Sequence, residues 1–380
     1  MTLPAWVPIR DDLRPYEPYG APQLDVPVQL NVNENPYGPS KATADDIAES
    51  LRIAATDLNR YPDREAWALR TALASYLGHG LGPDAVWLAN GSNEVMQQIL
   101  QAFGGPGRTA ASFTPTYSMY PEYARNTHTR WITGRRADDF TFDVDAALAL
   151  IAAEQPDVVL LASPNNPTGE SLSLESVRAV CDAAPGIVVL DEAYAEFRRP
   201  GTPTALSVLE DYPRLIVTRT MSKAFAFAGG RLGYLAADPA IVDALRIVRL
   251  PYHVSTVTQT VALAALRHAD EMLARVAELR ATRDETAQWL REQGFQVVDS
   301  DANFVLFGTF ADRHAVWQAV LDHGVLIRET GPDGWLRVSV GTPEEMGAFR
   351  DALTAVVATA RQAQDGGSAT ERTPNEEEQA

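Results

Sequence analysis

Three apolar runs, each followed by polar residues, constrain the fold of this chain more than any other feature. The runs span residues 158–162, 187–190 and 215–217. They are continuous rather than alternating, which is typical of parallel strands buried on both faces, and helical patterns separate them. The sequence therefore predicts an α/β domain with a mostly parallel sheet. Because the carboxyl ends of parallel strands share one edge, we expect Asn166, Asp191 and Lys223 to lie together there.

Lys223 follows the last of these strands in an apolar, glycine-containing segment, residues 217–234. An amine in apolar surroundings loses hydration when charged, so its pKa falls and the neutral form can bond to an aldehyde. Thr220, Ser222 and Arg231 are suited to a phosphate on the same ligand. Pyridoxal 5′-phosphate carries both groups on one ring. The alternative is an ordinary turn with a solvated lysine.

A second phosphate-type feature is the turn at Gly91, Ser92 and Asn93, which precedes the apolar-periodic run Val95–Phe103. This pattern predicts a helix N-terminus, whose free amides and dipole favour an anion. Glycine followed by serine is common at helix starts, so this motif indicates a phosphate site only in combination with Lys223.

Two charged residues stand in strands that are otherwise apolar. Asp191 ends a buried strand, where a carboxylate needs a partner, and a protonated pyridine nitrogen would provide one; an N-terminal helix cap is the alternative. Arg337 lies in the strand pattern 335–341, where an unpaired guanidinium is costly. We interpret it as an anion-binding residue, with a structural salt bridge as the alternative.

The composition excludes several classes of protein. The net charge of −18 argues against binding nucleic acid or anionic membranes. Cys181, the single cysteine, excludes an intrachain disulfide and is interpreted as a buried core thiol. The histidines lack metal-ligand spacing, so we predict no metal. No apolar run is long enough to cross a bilayer and no signal peptide is evident, which predicts a cytoplasmic protein.

The segment around Lys223 resembles the lysine segment of the fold-type I PLP-dependent aminotransferases, and the likeness extends over roughly residues 9–358. The resemblance implies the PLP-dependent transferase fold type I: a large domain with a mostly parallel, seven-stranded sheet and a smaller α+β domain. The expected bounds are 1–40 for an arm and part of the small domain, 41–256 for the large PLP-binding domain, 257–360 for the small domain and 361–380 for a disordered acidic tail.

The resemblance also implies roles for particular residues. Lys223, Asp191 and Tyr194 would be catalytic. The cofactor would be held by residues from several loops and from a partner subunit: Gly91, Ser92, Asn93, Tyr117, Asn166, Asp191, Tyr194, Thr220, Ser222, Lys223, Arg231 and the partner's copy of Tyr61. The substrate-binding candidates are Tyr16, Asn33, Glu34, Asn35, Arg328 and Arg337. Plain alternatives remain for Tyr16 (surface packing), Tyr117 (a core aromatic) and Arg328 (a surface charge).

Within the family, the sequence is most similar to the histidinol-phosphate branch. This implies transamination between histidinol phosphate and glutamate or 2-oxoglutarate in histidine biosynthesis, by a homodimer with shared active sites. The alternatives are an aromatic amino-acid aminotransferase, a PLP-dependent threonine-phosphate decarboxylase and a non-enzymatic binding module.

Overall fold

The structure is a computed structural model that describes residue 4 and residues 6–369. Its strands are β1 (Val28–Gln29), β2 (Val86–Ala89), β3 (Thr109–Thr114), β4 (Arg130–Arg135), β5 (Val158–Ala162), β6 (Ile187–Asp191), β7 (Leu215–Thr220), β8 (Gly233–Ala237), β9 (Gln296–Val297), β10 (Phe304–Gly308), β11 (Val325–Leu326) and β12 (Leu336–Ser339). Its α-helices are α1 (Lys41–Ala54), α2 (Trp67–Leu77), α3 (Ser92–Phe103), α4 (Tyr120–Asn126), α5 (Val144–Glu154), α6 (Leu174–Ala183), α7 (Pro239–Val248), α8 (Thr256–Arg267), α9 (Ala269–Glu292), α10 (Arg313–Asp322) and α11 (Pro343–Ala369).

The central sheet has seven strands in the order β2-β8-β7-β6-β5-β3-β4. All pairs from β7 to β4 are parallel, and β8 runs antiparallel to both of its neighbours. The predicted mostly parallel sheet of an α/β fold is therefore confirmed. The register places Ala162 opposite Asp191 and Asp191 opposite Thr218, so β5 and β6 end level with each other and β7 continues two residues further, to Thr220.

Helices cover both faces of this sheet because the side chains of its strands alternate between two cores. Along β5, Val159 and Leu161 enter one core, whereas Val158 and Leu160 enter the other. Both faces are thus closed to water, which explains why these strands are apolar at every position. Cys181 is buried at the first core, as expected, and burial raises the pKa of its thiol to about 12.

A smaller unit contains the antiparallel sheet β12-β10-β9 and the parallel pair β1–β11. Leu30 belongs to its core, so the segment after the N-terminal arm packs with the C-terminal part of the chain. Helix α9 joins the two units, since Val276 packs in the larger core and Leu290 in the smaller one. The expected domain bounds stay predictions.

Helix α11 continues to Ala369, so the first part of the segment expected to be a disordered tail, 361–369, is helical in this structure. Residues 370–380 lie outside the described residues. None of the described helices is long and apolar enough to cross a membrane. Across the same residues, no group of three or more His, Cys, Asp or Glu side chains is arranged to hold a metal ion.

Candidate active site

Lys223 lies in the turn after β7, and its amine points to the loop that follows β1. Its Nζ donates a hydrogen bond of 2.8 Å to the backbone oxygen of Val32. Burial, together with the positive charge of Arg337, lowers the pKa of the amine to about 8, whereas the carboxylate of Glu34 acts in the opposite direction. The neutral, nucleophilic amine is therefore accessible near neutral pH.

Asp191 is the last residue of β6, and only 6% of its surface is exposed. Its Oδ2 accepts a hydrogen bond from the Tyr120 hydroxyl (3.1 Å), while Oδ1 accepts from the Thr218 hydroxyl (3.2 Å) and the Ala193 amide (3.2 Å). Burial raises the pKa of the carboxyl to about 6, even though these donors stabilise the anion. Among the described residues no basic side chain forms an ion pair with Asp191, so the site favours a cation from a ligand.

The start of α3 and the end of β7 form a small cradle. Gly91 adopts a φ of 82°, and within the described part of the chain no side chain caps the first turn of α3. The guanidinium of Arg231 lies over Gly91 so closely that a Cβ there would be 2.5 Å from Nη2, and a Cβ at Gly233 would overlap the amide nitrogen of Ser92. Only glycines leave this space open, and its amides and guanidinium suit a phosphate.

Two hydroxyls complete the cradle on the β7 side. The Thr220 hydroxyl donates to Ser222 Oγ (3.0 Å), and the Ser222 amide donates to Thr220 Oγ1 (3.1 Å). These bonds hold both side chains in the turn that precedes Lys223. The β7 side of the cradle and the amine therefore lie in one short segment of backbone.

Arg337 lies on β12 with 5% of its surface exposed. Its Nη1 donates to Asn166 Oδ1 (2.5 Å) and its Nη2 to the backbone oxygen of Asn31 (2.8 Å). Nε has no hydrogen-bond partner among the described residues, and no carboxylate within them forms an ion pair with this arginine. Burial lowers the pKa of the guanidinium to about 10. The described residues therefore do not form the structural salt bridge considered above, and the buried guanidinium of Arg337 is suited to binding an anionic ligand.

Asn166 links Arg337 to a second polar cluster. The Tyr194 hydroxyl accepts hydrogen bonds from Asn33 Nδ2 (2.9 Å) and Asn166 Nδ2 (3.4 Å). Burial raises the pKa of Tyr194, so its hydroxyl stays protonated and can donate a hydrogen bond to an acceptor. Asn33, Asn166 and Tyr194 thus converge from three separate loops.

Arg328 and Arg337 face each other across an antiparallel bridge. The amide of each donates to the carbonyl of the other, at 2.9 and 3.0 Å. Directly opposed residues project to the same face, so both side chains reach the same cavity. Arg328 forms no ion pair within the described residues, which leaves it available to a ligand.

These groups surround one cavity of about 950 Å³. The predicted residues that line it are Asn33, Glu34, Ser92, Asn93, Tyr117, Asn166, Asp191, Tyr194, Thr220, Ser222, Lys223, Arg231, Arg328 and Arg337. Its basic side chains, which include the unpredicted Arg135 and Arg136, outnumber the acidic ones, Glu34, Asp138 and Asp191. In a chain with a net charge of −18, this local excess of positive charge favours anionic ligands.

Four predicted residues do not line the cavity. Gly91 lies just behind it, under Arg231, and Asn35 instead donates to the backbone oxygen of Ala224 (3.1 Å), beside the lysine. Tyr61 is 80% exposed and stacks on Tyr252, with ring centroids 4.5 Å apart.

Tyr16 is the fourth: it is exposed and packs under the guanidinium of Arg125, 3.7 Å from the ring centroid. The residue of the arm that reaches the cavity is Tyr19, whose hydroxyl lies 2.6 Å from Ser118 Oγ. The Pro-Tyr pair occurs twice in the arm, at residues 15–16 and 18–19. The second pair, which Gly20 follows, is the sequence feature that could have indicated Tyr19 as a residue of the cavity.

Comparisons with known proteins agree with this geometry. Residues 26–353 match the model of the family "Aminotransferase class I and II". The chain is 65% identical to the histidinol-phosphate aminotransferase of Thermobifida fusca over 91% of this chain and 95% of that protein. It is 61% identical to histidinol-phosphate aminotransferase 3 of Burkholderia lata, over 93% and 96% of the two chains.

A solved structure gives the same indication. The histidinol-phosphate aminotransferase of Sinorhizobium meliloti, in complex with pyridoxal-5′-phosphate, superposes with a TM-score of 0.79 at 27% identity, covering 88% of this chain and 92% of that chain.

Proposed function

The chain belongs to the class I and II aminotransferase family, and we propose that it uses pyridoxal 5′-phosphate to exchange an amino group between histidinol phosphate and 2-oxoglutarate. The observation that carries this proposal is one cavity holding a buried amine, a buried carboxylate that favours a cation, and a buried arginine that has no carboxylate partner among the described residues. The names of relatives 56–65% identical to this chain support the choice of histidinol phosphate.

The residues present fit the cofactor. Lys223 would bond to its aldehyde carbon, and Asp191 would pair with its ring nitrogen. Asn166 and Tyr194 would donate to its phenolic oxygen, and Tyr117 would stack on the ring. The phosphate would be held by the remaining predicted groups, which are Ser92, Asn93, Thr220, Ser222 and Arg231. When bound, the cofactor supplies an electron-poor ring that stabilises negative charge developing at the substrate Cα.

The side chains of the protein would mainly transfer protons and stabilise charges. Lys223 Nζ would act as the general base and acid that moves the proton of the substrate Cα, which its lowered pKa permits at neutral pH. Asp191 would hold a proton on the ring nitrogen. Tyr194, which keeps its own proton, and Asn166 would stabilise the phenolate oxygen by donating hydrogen bonds to it.

Two co-substrates must use the same cavity in turn. Glutamate offers carboxylates and histidinol phosphate offers a phosphate, and a guanidinium can bind either with two parallel hydrogen bonds. Arg337 has free donor capacity at Nε, and Arg328 projects from the opposing strand. We assign both arginines to the anionic group of each substrate.

We also propose that the protein is a homodimer that completes its site with Tyr61 of the partner subunit. Tyr61 is outside its own cavity and stacks on Tyr252, and Ile247 and Leu250, which precede Tyr252 closely in the chain, are also exposed. Exposed large apolar side chains that cluster are typical of a protein interface. Light scattering tests this: a monomer that kept full activity would contradict a shared site. The cytoplasmic location stays a prediction.

The experiment that tests the activity is a single-turnover spectral assay without keto acid. Histidinol phosphate, phenylalanine and threonine phosphate are added separately to the purified holoprotein. We expect histidinol phosphate to remove the absorption band of the lysine-bound cofactor fastest, and 2-oxoglutarate to restore it. A faster response to phenylalanine would indicate the aromatic enzyme, and carbon dioxide release from threonine phosphate would indicate the decarboxylase. A protein that binds no cofactor would contradict all three.

A further inference from the structure

Tyr120 is a buried residue that has no role in the function proposed above. It is the first residue of α4, it is fully buried, and its hydroxyl donates a 3.1 Å hydrogen bond to Asp191 Oδ2. Its ring also meets Tyr117 edge to face, with centroids 5.5 Å apart and planes at 90°. Tyr120 therefore contacts both Asp191, which is assigned to the ring nitrogen of the cofactor, and Tyr117, which is assigned to the face of that ring.

The two oxygens of Asp191 are not equivalent. Oδ1 accepts from two groups, the Thr218 hydroxyl and the Ala193 amide, whereas Oδ2 accepts only from Tyr120 among the described residues. A carboxylate oxygen accepts about two hydrogen bonds, so the remaining acceptor site is on Oδ2. The ring N–H of the cofactor would thus share Oδ2 with the hydroxyl of Tyr120.

We propose that Tyr120 is a positioning residue that fixes the carboxylate of Asp191 and keeps it ionised, so that the ring nitrogen of the cofactor stays protonated. The donor stabilises the anion at Oδ2, and the buried ring prevents rotation of the carboxylate. Tyr120 itself does not touch the reacting atoms. This inference rests on the proposed use of pyridoxal phosphate.

The direction of the effect follows from the burial of Asp191. Burial already raises the pKa of this carboxyl to about 6, and the hydrogen bond from Tyr120 opposes that rise. Removing the hydroxyl raises the pKa of Asp191 further, so a proton shared with the ring nitrogen would move toward the carboxylate. Tyr120→Phe retains the packing against Tyr117 and removes only the donor.

A double-mutant cycle on cofactor affinity tests the inference. We expect Tyr120→Phe to weaken pyridoxal phosphate binding to the apoprotein by about tenfold, as for loss of a hydrogen bond to a charged group. In the Asp191→Asn background the same change should have almost no effect, because Tyr120 acts through that carboxylate. Equal losses in both backgrounds would overturn the proposal.

Spectroscopy provides a second readout. With cofactor labelled with ¹⁵N in the ring, the NMR titration of Tyr120→Phe should show the ring-nitrogen signal displaced toward that of an unprotonated pyridine at neutral pH, because the shared proton moves toward Asp191. An unchanged NMR titration would refute the role of Tyr120 while leaving the cofactor assignment intact. Failure of the unmodified protein to bind the cofactor would overturn both.

The matched control is Tyr234→Phe on β8. Tyr234 is also fully buried, and its hydroxyl has no hydrogen-bond partner among the described residues. Its removal should change neither cofactor affinity nor the ¹⁵N titration. Thermal unfolding of each apoprotein, with circular dichroism at the assay temperature, establishes that the variants are folded. A Tyr234→Phe effect as large as that of Tyr120→Phe would count against a specific contact with Asp191.

Discussion

The substitution Glu192→Gln should destabilise the apoprotein strongly, although Glu192 is outside the cavity. This residue follows Asp191 and is completely buried. Its carboxylate accepts from Arg219 Nη2 (2.7 Å) and Arg198 Nη1 (3.2 Å), and it also accepts from the Thr204 hydroxyl and the Ala205 amide. Burial opposes its ionisation, but the two arginines outweigh burial and hold its pKa below the usual range.

The expected loss of unfolding free energy follows from the two guanidinium groups that the substitution leaves without the Glu192 carboxylate. Removing one partner of a buried ion pair costs about 3–5 kcal/mol because the remaining charge is uncompensated. Arg219 keeps a second carboxylate, Glu196, at 3.4 Å, so we expect the lower end of that range, about 3 kcal/mol. The matched control is Glu278→Gln, which breaks an exposed pair with Arg275 and should leave the unfolding midpoint almost unchanged, because solvent screens the pair.

Urea unfolding of the apoproteins, followed by circular dichroism, measures this difference. The cofactor is left out because a ligand that binds only the folded state would hide part of the effect. Equal slopes for the variant and the unmodified protein would establish that the midpoint shift reports stability. A shift no larger than that of the control would refute the reasoning that Glu192 neutralises two buried charges.

Three other predictions follow from the site. The rate at which the apoprotein captures pyridoxal phosphate should rise with pH and level off above about pH 8, since Lys223 reacts as the neutral amine; a rate that is flat from pH 6 to 9 would contradict this. Gly233→Ala should weaken cofactor binding by at least tenfold in equilibrium dialysis, because its Cβ overlaps the Ser92 amide, whereas Gly38→Ala, with open space at its Cβ position, should not. Arg337→Ala should raise KM about 100-fold for both histidinol phosphate and glutamate, and unchanged values for both would remove it from the anion site.

The sequence predicts those parts of the molecule that depend on local patterns. The ends of β5, β6 and β7 were recognisable because both-face burial requires continuous apolar runs, and polar residues follow each run. Strand β8 was not recognised: three of its five residues, Gly233, Ala236 and Ala237, carry little strand preference, and its antiparallel place between β2 and β7 depends on distant segments.

Contacts between distant segments explain what the sequence could not predict in the site. The hydrogen bond from Tyr120 to Asp191 exists because α4 packs against the end of β6, and no spacing rule relates these two residues. The choice between Tyr16 and Tyr19 depends on the path of the arm, which lacks hydrophobic periodicity. Arg135 and Arg136 reach the cavity because β4 lies at the edge of the sheet, where its position is set by pairing with β3.

The pairing of the chain's early and late segments has a consequence for synthesis. Asn33, which donates to the Tyr194 hydroxyl, is held by Ser339, 306 residues further along the chain. On the ribosome, the large sheet can form from β2 onwards while the segment around Asn33 still lacks its partner strand. The substrate side of the cavity therefore assembles only after Ser339 has emerged, so a chain halted before that point would have Lys223 without an ordered substrate site.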